Sequence, residues 1–161
     1  MKEHTLVLKS ISCTFEELNE NEQLLIKKAK HATENAYAPY SHFNVGAAVL
    51  LDNGEIISGT NQENAAYPSG LCAERVAMFY ANSKYPNIAV KAIAIAAFTN
   101  GQFIELPISP CGACRQVLLE TEIRYNQDIV CYLYGSTEIT KVHNIKTLLP
   151  FCFNADSLKV K

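Results

Sequence analysis

With 161 residues, 48% of them apolar and 19% charged, the chain is long enough to bury a substantial core and reads as one globular domain, residues 1–161. A net charge of −2 offers no basic stripe for a phosphate backbone, so no nucleic acid is expected as substrate or partner, and a small molecule is. No apolar run approaches the roughly 20 residues of a membrane helix, and Met1-Lys2-Glu3-His4 does not open an export signal; a cytoplasmic protein without a membrane partner is expected.

Residues 1–13 alternate loosely through Leu6 and Leu8 and form an N-terminal arm or edge strand. A helix then starts either at Thr14, with Glu17 completing a capping box, or at Asn19, with Glu22 in that role. Leu25, Ala29, Ala32 and Ala36 give it an apolar face, and Pro39 ends it. Strands are expected over 43–51 and 56–60, joined antiparallel through Asp52-Asn53-Gly54, since Asn and Gly tolerate positive φ. A loop over 61–71 precedes a helix over 72–83, whose Val76, Phe79 and Tyr80 fall at helical spacing. The near-continuous apolar run over 90–98 suits a strand buried on both faces. A helix over 112–125, strands over 129–134 and 138–142, and a short helix over 144–149 complete the chain. The fold class is α/β: a three-layer α-β-α sandwich around a mixed sheet of about five strands.

Six cysteines with no export signal do not suggest disulfides. Three of them fall in a different pattern: Cys72-Ala73-Glu74-Arg75, and far downstream Pro110-Cys111-Gly112-Ala113-Cys114. Three thiolates suffice for tetrahedral zinc with one open corner, whereas structural zinc sites close with four ligands. Glu74 lies two residues past the first ligand, placed to serve that corner as a general acid and base. Both motifs open helices, whose positive ends favour thiolates. Arg75 is the natural donor to the sulfurs, offsetting the excess charge of three thiolates around Zn2+. Two other readings use the same cysteines. A structural zinc site would need His42 or Cys131 as fourth ligand and leaves Glu74 without work; a redox Cys-x-x-Cys pair ignores Cys72 and Glu74. Cys13, Cys131 and Cys152 are read as inert thiols, and the histidines as surface or satisfied polar residues.

The two motifs match the three-cysteine form of the zinc nucleobase deaminase signature. Beyond them, Tyr40-Ser41-His42-Phe43, Val45-Gly46-Ala47-Ala48, Asn61-Gln62-Glu63-Asn64-Ala65-Ala66-Tyr67, Arg115-Gln116, Leu148-Leu149-Pro150 and Phe153 follow in order, and over roughly residues 20–158 the chain resembles the small homotetrameric cytidine deaminases. The resemblance implies hydrolytic deamination of cytidine and deoxycytidine in pyrimidine salvage, with zinc as cofactor. It implies that Asn61 and Glu63 hold the ribose hydroxyls, that Phe43 packs on the pyrimidine, and that Ala65 (through its backbone N–H) and Tyr67 line the site. Phe153 matches an aromatic that reaches a neighbouring subunit's site, so a homotetramer with shared active sites is implied. Phe151 and Cys152 replace smaller residues usual there, Gln62 stands where an aliphatic residue is common, and the arm before about residue 14 has no counterpart. Deamination of a cytosine-containing nucleoside antibiotic is the enzymatic alternative, which the Asn61–Glu63 pair disfavours. A catalytically silent zinc module is the non-enzymatic one, disfavoured by the intact Glu74.

Overall fold

The computed structural model describes residues 1–158. Its seven strands are β1 (Ile11–Cys13), β2 (Asn44–Leu51), β3 (Ile56–Thr60), β4 (Val90–Thr99), β5 (Gln102–Phe103), β6 (Val130–Tyr134) and β7 (Ile139–Val142). They form one mixed sheet in the order β1-β7-β6-β4-β2-β3, with β5 folded back on the end of β4. Only β4 and β6 run parallel; the other pairs are antiparallel. The sheet therefore exceeds the expected five strands by two. One is the N-terminal segment, which zips onto β7 through Ile11, Ser12 and Cys13. The other is β5, returned by an Asn100-Gly101 turn in which both residues take positive φ. The β2–β3 hairpin forms as expected, with Gly54 at φ +86°.

Three helices cover the sheet. Helix α1 (Glu20–Ala32) begins at Asn19, whose side chain accepts from the Asn21 and Glu22 N–H groups while Glu22 reaches back to the Asn19 N–H. The Thr14–Glu17 contact exists too, as a 2.7 Å bond to Glu17 Oε2, but no helix follows it. The helix stops at Ala32 and a 3₁₀ turn over Thr33–Asn35 replaces its expected last turn, so Ala36 is not on its buried face. Thr33 Oγ1 caps the Lys30 carbonyl at 2.7 Å, and the Tyr37 N–H leaves for the Asn61 carbonyl.

Helices α2 (Ala73–Lys84) and α3 (Gly112–Tyr125) lie on the opposite face from α1. The alternation of β4 sorts the two layers: Ile93 and Ile95 pack toward α2 and α3, while Ala92, Ala94 and Ala96 face α1. This is the three-layer α-β-α arrangement. Helix α2 does not present the expected face. Its buried residues are Ala73, Glu74, Ala77, Met78 and Ala81, while Phe79 and Tyr80 are about half exposed. Backbone proximity explains the choice. A Cβ on Gly59 of β3 would stand 2.4 Å from the Ala77 nitrogen and 2.7 Å from the Ala73 carbonyl oxygen. Only small side chains allow the first turns of α2 to sit that close. The expected helix over 144–149 is a 3₁₀ turn, Ile145–Leu148, capped by Asn144.

Half-buried Glu22 ties α1 across the sheet, accepting from Tyr132 Oη at 2.6 Å and Lys141 Nζ at 2.7 Å. Burial alone would raise its carboxyl pKa, but the Lys141, Tyr132 and Asn19 donors together hold it below the usual value.

Candidate active site

Cys72 and Cys111 are the N-cap residues of α2 and α3, both in extended backbone, and neither thiol makes a side-chain capping bond. Cys114 sits one turn into α3, fully buried. The three sulfurs all lie within 4.8 Å of one another, and no other His, Cys, Asp or Glu among the described residues joins them. Cys72 Sγ and Cys111 Sγ are 3.9 Å apart. Tetrahedral zinc with Zn–S bonds near 2.3 Å requires sulfurs about 3.8 Å apart, so the donor set fits that metal. Neither His42 nor Cys131 supplies a fourth ligand. Cys131 is sealed in the core, where burial pushes its thiol up to about 12.

The electrostatics suit a metal with a partly compensated charge. A hydrogen bond from the Cys114 thiol, followed by donation from Arg75, brings the Cys72 pKa down to about 5; the same Cys72–Cys114 bond raises that of Cys114. Arg75 Nη2 approaches Cys72 Sγ at 3.7 Å, and its buried Nε has no partner. Its positive charge acts chiefly on the Cys72 sulfur and more weakly on the Glu74 carboxyl. Zinc with three thiolates carries −1, and Arg75 brings the group to neutrality.

Glu74 is 5% exposed. Burial raises its carboxyl pKa, and the nearby Cys72 adds to the effect. A carboxyl whose pKa is raised is better suited than an ordinary surface carboxylate to transfer a proton in both directions.

Cys72, Cys111, Glu74 and Arg75 line a cavity of about 760 Å³, large enough for a nucleoside-sized ligand. Phe43, Asn61, Glu63 and Tyr67 line it together with Cys72, Glu74 and Arg75. Ala65 and Phe153 are not in that lining. Ala65 is exposed in the loop before the 3₁₀ turn Tyr67–Ser69, and Phe153 is 59% exposed on the C-terminal segment. Asn61 Oδ1 accepts from the Val45 N–H at 2.8 Å while its Nδ2 donates to the Phe43 carbonyl at 2.9 Å, so one amide fixes the start of β2. Glu63 accepts from the Tyr40 and Ser41 N–H groups and from the Ser41 hydroxyl. The Ser41 hydroxyl, then the Tyr40 N–H, hold the Glu63 carboxyl below its usual pKa. Two further residues, each inside a stretch that carries the family resemblance, position the site. Ser41 carries the Glu63 contact on to the Phe43 N–H at 3.1 Å, and Arg115 binds the Pro110 carbonyl beside Cys111 at 2.8 Å.

A family model described as "Cytidine and deoxycytidylate deaminase zinc-binding region" matches residues 19–131. The chain is 43% identical over 136 residues to a cytidine deaminase of Halalkalibacterium halodurans, covering 84% of this chain and 96% of that one. It is 42% identical over 134 residues to a cytidine deaminase of Sporosarcina psychrophila, covering 83% and 92%. The crystal structure of cytidine deaminase from Burkholderia pseudomallei superposes with a TM-score of 0.67 at 40% identity, over 81% of this chain and 97% of that one. Fold, three-thiol cluster and buried acid define a zinc-dependent deaminase. The chain belongs to the cytidine and deoxycytidylate deaminase family.

Proposed function

We infer that the protein hydrolyses cytidine and deoxycytidine to the uridine forms with release of ammonia, in pyrimidine salvage in the cytoplasm. One observation carries the reading: Glu74, buried and with a raised pKa, shares a nucleoside-sized cavity with Cys72 and Cys111 of the three-thiol cluster. Zinc held by Cys72, Cys111 and Cys114 supplies Lewis-acid activation of water near neutral pH. Glu74 takes one proton from the water and passes it to a ring nitrogen, then takes the second from the hydroxyl now on the carbon, which becomes the carbonyl, and passes it to the departing amine. Water is consumed and ammonia leaves, so no redox partner is required. Helix α2 holds Glu74 and Cys72 in fixed relation, and Arg75 Nη2 donates to the Cys72 sulfur.

Phe43 packs on the pyrimidine face, Asn61 and Glu63 take the ribose hydroxyls, and Tyr67 and the Ala65 N–H border the sugar. The depressed Glu63 pKa supports its part, because an ionised carboxylate accepts from a hydroxyl. Family likeness and the exposure of Phe151 and Phe153 support a homotetramer in which Phe153 serves a neighbouring site.

Turnover of cytidine, deoxycytidine and free cytosine, followed by ultraviolet absorbance, tests the reading. The nucleosides are expected to react and the base to react poorly, because without the ribose Glu63 and Asn61 gain no hydroxyl partner. Glu63→Gln should raise KM for cytidine more than it lowers kcat. Equal kcat/KM for cytosine and cytidine would overturn the ribose assignment. Zinc-loaded protein that turns over no cytosine nucleoside would establish the silent module.

A further inference from the structure

The three zinc ligands are not held alike. Cys114 is fixed by burial in the core and Cys72 by Arg75, but Cys111 is exposed at the very start of α3. Arg115 brackets it instead. Its backbone N–H donates to the Cys111 carbonyl at 2.9 Å, and its side-chain Nε donates to the Pro110 carbonyl at 2.8 Å. The peptide planes on both sides of Cys111 are thereby set by one residue. The same guanidinium sends Nη1 to the Leu148 carbonyl at 2.9 Å. Two neighbours on α3 repeat the pattern: Gln116 Nε2 donates to the Phe153 carbonyl at 2.8 Å, and buried Glu122 Oε2 accepts from the Ile145 N–H at 2.7 Å. The C-terminal segment is thus laced to α3 by side chain to backbone bonds. Of these three residues, only Arg115 also holds the metal loop.

We propose that Arg115 is a positioning residue that couples the C-terminal segment to zinc retention, aiming Cys111 through the Pro110 carbonyl while anchoring Leu148. A planar fork can serve two carbonyls on separate segments; a lysine ammonium is a point donor on a flexible stem and does not hold both in the same geometry. Loss of a partner that orients a metal ligand typically costs about 10–100-fold in metal affinity.

The test uses zinc-loaded full-length protein and two readouts independent of turnover: zinc release to a chromogenic chelator, and amide hydrogen exchange. Arg115→Lys is expected to release zinc about tenfold faster than wild type, with faster exchange at Thr147 and Leu149 in the same sample. Arg115→Gln is measured alongside, so a folding defect in one variant leaves the other to decide. Gln116→Ala loosens the segment at Phe153 without touching the metal loop and should release zinc at the wild-type rate. Leu25→Ala, a core truncation under α1 on the other face of the sheet, should lower the melting temperature yet leave zinc release unchanged. Wild-type zinc release in both Arg115 variants would overturn the proposal. So would faster release with unchanged exchange at 147 and 149, or a comparable acceleration in Leu25→Ala.

Discussion

Gly59→Ala is the substitution whose cost the structure defines most closely. A methyl group at 59 would meet three backbone atoms of α2: the Ala77 nitrogen at 2.4 Å, the Ala73 carbonyl oxygen at 2.7 Å and the Ala77 Cα at 3.0 Å. No side chain can rotate away to relieve this. Ordinary contact begins near 3.4 Å, so α2 must retreat by about 1 Å. Overpacking of this kind costs about 1–3 kcal/mol, and about 2 kcal/mol in a chain of this size lowers Tm by about 4–8 °C. The catalytic penalty should be larger, because α2 carries Cys72 at its cap and Glu74 in its first turn. A displacement near 1 Å at reacting groups costs about 100-fold in rate. Thermal unfolding and kcat/KM for cytidine check both figures. Gly112→Ala is the comparison: it lies between two cysteines of the three-thiol cluster in sequence, but its Cβ meets nothing within 4 Å. It should change kcat/KM by no more than about twofold, as for an open surface site. A Gly59→Ala protein with wild-type Tm and kcat/KM would refute the claim that close β3–α2 contact positions the site.

The remaining predictions concern charge and hydrogen bonding. Burial and Cys72 raise the folded-state pKa of Glu74, so the metal-free folded chain keeps a proton that the unfolded chain releases; stability therefore falls as pH climbs from the unfolded carboxylate value, about 4.3, toward the raised folded value. Metal-free Glu74→Gln should accordingly be more stable than metal-free wild type in urea at pH 7, with the gap closing below about pH 4; no gap at pH 7 counts against the buried acid. Tyr132→Phe removes the 2.6 Å donor to Glu22 and should cost about 1.5 kcal/mol in urea unfolding at pH 7. Because the Glu22 pKa is depressed, that contribution is present above the unfolded carboxylate value and fades as pH falls through the folded one. A pH-independent deficit would show that Tyr132 acts through packing alone. Cys111→Ser should lower zinc content per chain, read by metal analysis, while the fold persists by circular dichroism; full zinc occupancy would remove Cys111 from the ligand set.

What could be read in the sequence depended on how local the cause was. The metal cluster was legible because thiolate chemistry and ligand number are written in residue type and spacing, and the structure gathers the same three sulfurs. The start of α1 was legible as two candidate caps, and Asn19 prevailed because its capping box forms reciprocally and Glu22 also reaches Tyr132 and Lys141. The buried face of α2 was not, since aromatic spacing pointed to Phe79 and Tyr80 while the absent side chain of Gly59 selected the alanine face. β5 is not legible although Asn100-Gly101 is a strong hairpin signal, because each arm of the hairpin is only two residues long. The cavity joins β2, the loop after β3 and α2, which explains why Phe43, Asn61 and Glu63 could be placed only through family likeness.

The proposed reaction depends above all on Glu74 as the proton carrier beside a metal held by three sulfurs. Cytidine turnover by Glu74→Gln protein, brought to the same zinc content per chain as wild type, tests this directly. Zinc should be retained and kcat should fall by about 10²–10⁴-fold. Turnover close to wild type at equal zinc would contradict it.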